Sequence, residues 1–230
     1  MQRGHPFPSG GVYHIFNRGA HKQAIFTTEC DYDRFLLLMY LTNKQSSFRI
    51  GNLIEKYKGR SSLHILDNIE IPAGERLVHL LAYALMPNHF HFVLKQNVEG
   101  GISTYMHKLL TAYSMYFNTK YEHSGVLFQG RFKSKLIDSD AYHRYIFAYV
   151  HLNPIDLAYP EWGEKRLSRP EKAQEFLQQY RYCSYTDYVG KERTASKILS
   201  KDEAPDFLGE EDDFEEMLQW NSLPFDEDSY

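Results

Sequence analysis

The sequence predicts an α/β protein of the α+β kind. Its strands and helices follow in the order strand, helix, two strands, helix, strand, with one more helix behind them. Three observations predict this. Runs of strand length, rich in β-branched and aromatic residues, stand at 11–17, 77–85 and 89–94. Apolar residues recur at helical spacing at Phe35, Leu36, Met39 and Tyr40, and again at Ile102, Met106, Leu109, Leu110 and Tyr113. The two middle strands are separated only by Met86-Pro87-Asn88, a corner that suits a hairpin.

In chain order, the segment 11–17 follows a Gly/Pro-rich entry and leaves through Asn17-Arg18-Gly19. Thr28 is placed to cap a helix reaching Leu41. Residues 43–75 are mixed in character and read as a partly helical insertion. After the hairpin, Ser103 is the expected cap of a long helix running toward Asn118. Gly125 breaks the chain, and 126–137 reads as a fourth strand carrying Arg131, Lys133 and Lys135. A further helix opens at Ser139-Asp140 and passes through Tyr145, Ile146, Tyr149 and Val150. It must stop near Asn153, because Pro154 restricts the residue before it. Residues 155–200, with Trp162, Tyr180, Tyr182, Tyr185 and Tyr188, read as an aromatic arm packed on the domain. The whole is a ferredoxin-like split βαββαβ antiparallel sheet with helices on one face, plus a C-terminal helical arm and an acidic tail. The expected divisions are a domain at 8–154 with its insertion at 43–75, the arm at 155–200, and a flexible tail at 201–230.

Composition narrows the function classes. Of 230 residues, 43% are hydrophobic and 24% charged, which fits a folded globular chain. No apolar run approaches the roughly 18 residues of a membrane span, and residues 1–11 lack an apolar signal core. Cys30 and Cys183 form neither a CxxC motif nor a disulfide scaffold. The expected address is the cytoplasm, with nucleoid association when bound to DNA. The net charge of -4 hides a division: 202–230 hold twelve acidic residues and no Lys or Arg. Residues 1–201 therefore carry 26 basic against 18 acidic side chains. A basic body of this kind attracts phosphate backbones.

The chemistry centres on three places. His89 and His91 stand two apart in a strand, so both imidazoles leave one face while Phe90 and Phe92 leave the other. Such a pair can hold one divalent cation, or can be two surface histidines; spacing alone leaves both open. With only two histidines, a phosphate substrate would complete the sphere of Mg²⁺ or Mn²⁺ rather than Zn²⁺. Tyr149 is the best-placed nucleophile among the 18 tyrosines, and Asn153 is its i+4 neighbour, able to lend a neutral oxygen. Arg18, Arg131, Lys133 and Lys135 are candidate phosphate contacts.

The sequence 83–94, Tyr-Ala-Leu-Met-Pro-Asn-His-Phe-His-Phe-Val-Leu, resembles the signature of single-tyrosine HUH transposases of the IS200/IS605 class. The segments 13–19, 125–134, 149–154 and 182–188 resemble, in order, elements of the branch associated with repetitive extragenic palindromes, the REP-associated tyrosine transposases. The resemblance implies that His89 and His91 bind Mg²⁺ or Mn²⁺, with Asn153 where classical members carry a glutamine ligand. Gln129 is a second candidate for that duty. It implies that Tyr149 attacks a single-stranded DNA phosphate beside a hairpin-forming palindrome. A 5′-phosphotyrosine link forms and a free 3′-hydroxyl leaves; rejoining reverses the step. The partner implied is single-stranded DNA with hairpin elements. Monomer and homodimer both stay open. The alternative is a DNA-hairpin-binding protein that kept the fold without strand transfer. A replication initiator or relaxase would need a fused helicase or permuted motifs, and the sequence offers neither.

Overall fold

The structure is a computed structural model that describes residues 7–46, 50–160, 162, 169–205 and 214–222. Four strands, β1 (Val12–Arg18), β2 (Val78–Met86), β3 (His89–Gln96) and β4 (Lys133–Ile137), form one antiparallel sheet in the order β2-β3-β1-β4. That order is the split βαββαβ arrangement: β1 and β3 are central, and the β2–β3 hairpin turns through Pro87 and Asn88.

The period-2 pattern divides the sheet into two unlike faces. Tyr13, Ile15, Tyr83, Leu85, Phe90, Phe92 and Leu94 face one core, closed by α1 (Glu29–Thr42) and α4 (Gly101–Tyr121). Phe35 of α1 anchors it, with its ring 4.7 Å from Tyr113 of α4 and 5.6 Å from Phe90. The two crossover helices thus share a face, as the sequence predicts. The added helix α5 (Asp140–Leu152) covers the opposite face, where Ala82, Ala84 and Val93 admit its apolar side.

Several boundaries differ from expectation. Thr28 forms a capping box with Asp31, but α4 starts at Gly101 behind Gly100, with Ser103 already inside the helix. Close approach decides this: a Cβ on Gly101 would sit 2.2 Å from the Leu77 carbonyl oxygen. The fourth strand is short. Phe16 pairs with Lys133, yet Gly19 bridges Phe128, so 126–132 holds two more residues than β1 can match. The excess bulges at Gly130, whose φ of +79° suits glycine.

In the 43–75 segment, α2 (Ile50–Lys56) and α3 (Ser62–Asp67) are helical, and α3 buries Ile65 and Leu66 beside α1. The aromatic arm completes the exposed edge of β2. Leu85 N–H donates to Tyr182 O (2.9 Å), Ser184 N–H to Tyr83 O (2.9 Å), and Ser200 N–H to Leu80 O (2.9 Å). Pairing an edge strand in this way removes its free hydrogen-bonding groups. Arg193 locks the arm, its Nε donating to Asp187 Oδ1 (3.0 Å) and its guanidinium reaching Tyr83 Oη (2.9 Å).

Part of the acidic tail also docks. Lys95 pairs with Glu203 at 2.7 Å, and a short helix, Phe214–Asn221, buries Phe214 and Met217 against α5. The tail residues 206–213 and 223–230 lie outside the described residues. Among the described residues, no helix is long and apolar enough to cross a membrane.

Candidate active site

The face that α5 covers is not covered completely. A cleft of about 530 Å³ opens beside it, lined by Phe16, Asn17 and Arg18 of β1, Asn88, His89 and His91 of the hairpin, Lys22, Gln129, Arg131, Lys133 and Tyr149. The register explains the grouping. Arg18 lies opposite His89 and Phe16 opposite both His91 and Lys133, and facing residues share a face of the sheet. The two histidine rings stand 5.1 Å apart, nearly perpendicular. The Tyr149 ring meets His91 edge-on at 5.2 Å. It comes from the same chain.

The loop after β1 forms the floor. Gly19 is required there, since a Cβ would fall 2.1 Å from the Gln23 carbonyl oxygen. His21 and Lys22 both take left-handed conformations (φ 53° and 60°), a strained pair that turns the Lys22 backbone toward Asn88 Nδ2 (3.3 Å). Asn17 ties the loop to the bulge through Nδ2 to Gly130 O (3.2 Å).

Each histidine has its Nδ1 engaged. His89 Nδ1 contacts Asn88 Oδ1 at 2.7 Å, and His91 Nδ1 contacts His14 Nε2 at 2.9 Å. Burial lowers the pKa of His89, with Arg18 adding to the fall and the Asn153 contact opposing it. His91 is held well below the ordinary value by burial and by His14 and His89 beside it. Both rings are therefore neutral at pH 7, the form that ligates metals.

Neutrality sets up a conflict at His89. With its one N–H given to Asn88, Nε2 is a lone pair, and it faces Asn153 Oδ1, a second acceptor, at 3.2 Å. Either the Asn153 amide turns to donate, or a cation sits between the two. The 3.2 Å spacing suits a hydrogen bond, and it also suits adjacent ligands of a cation coordinated at about 2.1 Å, which lie roughly 3 Å apart. Among the described residues no three His, Cys, Asp or Glu side chains converge on a metal position. A cation here would thus be held by two imidazoles and an amide, leaving further positions for phosphate oxygen or water.

The cationic candidates separate. Arg18, Arg131 and Lys133 line the cleft, and Arg18 Nε donates to Gln129 Oε1, which occupies Gln129 with the arginine. Lys135 is outside the lining, its Nζ 4.8 Å from the centre of the Tyr142 ring on α5. Sequence reasoning missed Lys22, whose place depends on a strained loop, and His14, which alternation could have found, since residues 12, 14 and 16 share a face.

The site is thus two neutral histidines on a four-stranded antiparallel sheet, facing a tyrosine on the helix that covers it. The sequence of that part has a known likeness. Residues 70–153 match the family model described as "Transposase IS200 like", a segment that holds His89, His91, Tyr149 and Asn153. The match runs from just before the hairpin through α5. No curated protein matches significantly. Among solved structures, the chain is similar to a REP-associated tyrosine transposase bound to a REP hairpin, at 14% identity and a TM-score of 0.46, over 90% of this chain and 92% of that one.

Proposed function

We propose that this protein is a metal-dependent single-stranded DNA endonuclease and strand transferase that cuts near hairpin-forming palindromes. One observation carries the reading: Tyr149 packs on His91 at the wall of a cleft whose charged lining is Arg18, Lys22, Arg131 and Lys133, with no carboxylate. Such a lining draws in phosphates and repels nothing anionic.

In this reading Tyr149 Oη attacks a DNA phosphorus and displaces the 3′-oxygen. One phosphoester bond forms as another breaks, the DNA 5′-phosphate becomes joined to the tyrosine, and a free 3′-hydroxyl leaves. The reverse step with another 3′-hydroxyl rejoins the strand. His89, His91 and Asn153 would hold Mg²⁺ or Mn²⁺. Bound there, the cation would polarise the phosphodiester and stabilise its developing charge. Arg18, Lys22, Arg131 and Lys133 orient the strand by its backbone, while Lys135 approaches DNA only outside the cleft.

A second reading, a hairpin-binding protein without strand transfer, has one observation in its favour: the absence, among the described residues, of a third charged or imidazole ligand. A covalent-adduct assay separates the two. Labelled single-stranded hairpins from the neighbouring genomic sequence are mixed with the protein and Mn²⁺, Mg²⁺ or chelator, then resolved on a denaturing gel. The strand-transfer reading expects a metal-dependent adduct that Tyr149→Phe abolishes. Tight hairpin binding without adduct in either metal supports the second reading.

A further inference from the structure

His14 is a buried histidine that the proposed reaction does not use. It lies on β1, 77 residues from His91, and its Nε2 meets His91 Nδ1 at 2.9 Å. The two rings are nearly parallel (19°, centroids 5.1 Å apart), and Phe16 stacks on both, at 5.0 Å from His14 and 5.7 Å from His91. The other nitrogen, His14 Nδ1, is buried without a hydrogen-bond partner among the described residues. A buried polar atom left unpaired is destabilising, so as packing alone His14 is a poor choice beside an apolar residue.

The contact has a direction that a cation would impose. His91 has one nitrogen for the cleft, Nε2, because Nδ1 is turned to His14. For Nε2 to offer a lone pair, the single proton of the neutral ring must sit on Nδ1, where it needs an acceptor. His14 Nε2 is that acceptor when His14 carries its own hydrogen on Nδ1, the buried nitrogen without a partner among the described residues. Asn88 Oδ1 stands in the same relation to His89, at 2.7 Å. Each member of the pair is thus backed by one neighbour that fixes which nitrogen carries hydrogen.

We propose that His14 is a positioning residue for the cation, accepting the Nδ1–H hydrogen bond of His91 and so presenting His91 Nε2 to the cleft as a ligand. The inference rests on the cation reading given above. Remove the acceptor, and His91 Nδ1–H becomes a buried, unpaired donor. The ring then favours the proton on Nε2, which closes that nitrogen to metal. Partners of this kind typically alter metal affinity by 10–100-fold.

The test is Mn²⁺ binding to the full chain without DNA, followed by the EPR signal of free ion, for wild type, His14→Phe, His14→Gln and His91→Ala. Phe keeps the shape and stacking but accepts nothing; Gln restores an accepting oxygen at similar reach. The expected result is a roughly tenfold to hundredfold weaker dissociation constant for His14→Phe and near wild-type binding for His14→Gln. A purely structural role would not be rescued by an amide of different shape. His14→Phe binding Mn²⁺ as wild type does would overturn the inference while leaving the cation reading intact. Wild type failing to bind, or His91→Ala binding equally well, removes the cation reading and His14's role with it. Should His14→Phe not fold, the imidazole ¹⁵N shifts of Mg²⁺-loaded wild type decide: hydrogen on His91 Nδ1 supports the proposal, hydrogen on Nε2 overturns it.

Discussion

Tyr149 stands edge-on to His91, the ring planes at 90° and the centroids 5.2 Å apart. The nucleophile candidate and the histidine pair therefore meet within one chain, across the gap between α5 and the sheet. The phenol of tyrosine ordinarily titrates at about 10, so attack at neutral pH requires positive surroundings, which this cleft supplies.

Tyr149→Phe tests that relationship with little structural disturbance, because the ring stays. Covalent DNA adduct should fall below detection, while hairpin affinity and thermal midpoint stay close to wild type. An adduct of undiminished yield would place the nucleophile on another tyrosine.

Asn153→Ala removes the oxygen that faces His89 Nε2. Mn²⁺ affinity should drop about tenfold or more, by analogy with losing one neutral ligand or its orienting partner. Titration calorimetry with Mn²⁺ alone reads this, and an unchanged dissociation constant would exclude Asn153 from the cation's sphere.

Phosphate contacts leave a salt signature. Alanine at Arg18, Lys22, Arg131 or Lys133 should each lower the slope of log affinity against log salt by about 0.7 on single-stranded DNA. Lys135, beside the Tyr142 ring rather than in the cleft, should change the slope least. Fluorescence anisotropy across a salt series would reveal the ranking, and an equal loss at Lys135 would contradict it.

Stability should decline in acid through buried neutral histidines. His151 donates or accepts at Ser184 Oγ (2.7 Å) inside the core, and burial, with Arg193 nearby, lowers its pKa to about 3. A base whose folded pKa lies below its unfolded value of about 6.5 binds fewer protons when folded. Its contribution is thus whole above pH 6.5 and is lost as pH falls from there toward 3. His14, lowered to about 3 by burial and Lys135, acts in the same sense. Urea midpoints from pH 7 to 4 should fall steadily, and His151→Leu should flatten part of that slope.

The arm should be necessary to the domain. Asp187 is fully buried and receives Arg193 and Ser196, so Arg193→Ala leaves a buried carboxylate uncompensated. A loss of about 3–5 kcal/mol is expected, with the β2 edge exposed to pairing with other chains. Equilibrium denaturation and light scattering would detect both; a change under 1 kcal/mol would mean the arm holds without this pair.

Much of the fold and half of the site were legible because they rest on short-range periodicity. Alternation at 89–92 sends Phe90 and Phe92 into the core and both histidines to the other face whatever surrounds them. Helical spacing puts Asn153 one turn beyond Tyr149, and the Asn153 N–H bonds to the Tyr149 carbonyl. Pro154 marks the stop. The sequence overstates the fourth strand because 126–132 has strand composition, and only pairing with β1 reveals two surplus residues and the bulge at Gly130.

Local pattern along the chain sets the order of elements, the face on which the histidines emerge and the turn that carries Tyr149, since each depends on neighbours a few residues away. Tertiary structure alone decided that α5 covers the histidine face, that Lys22 enters the cleft while Lys135 leaves it, that Arg18 engages Gln129, and that His14 backs His91. Those relations join residues tens of positions apart. They follow from strand register, the bulge beyond β1 and the packing of a helix on small residues of the sheet, none of which is encoded in the period of a single segment.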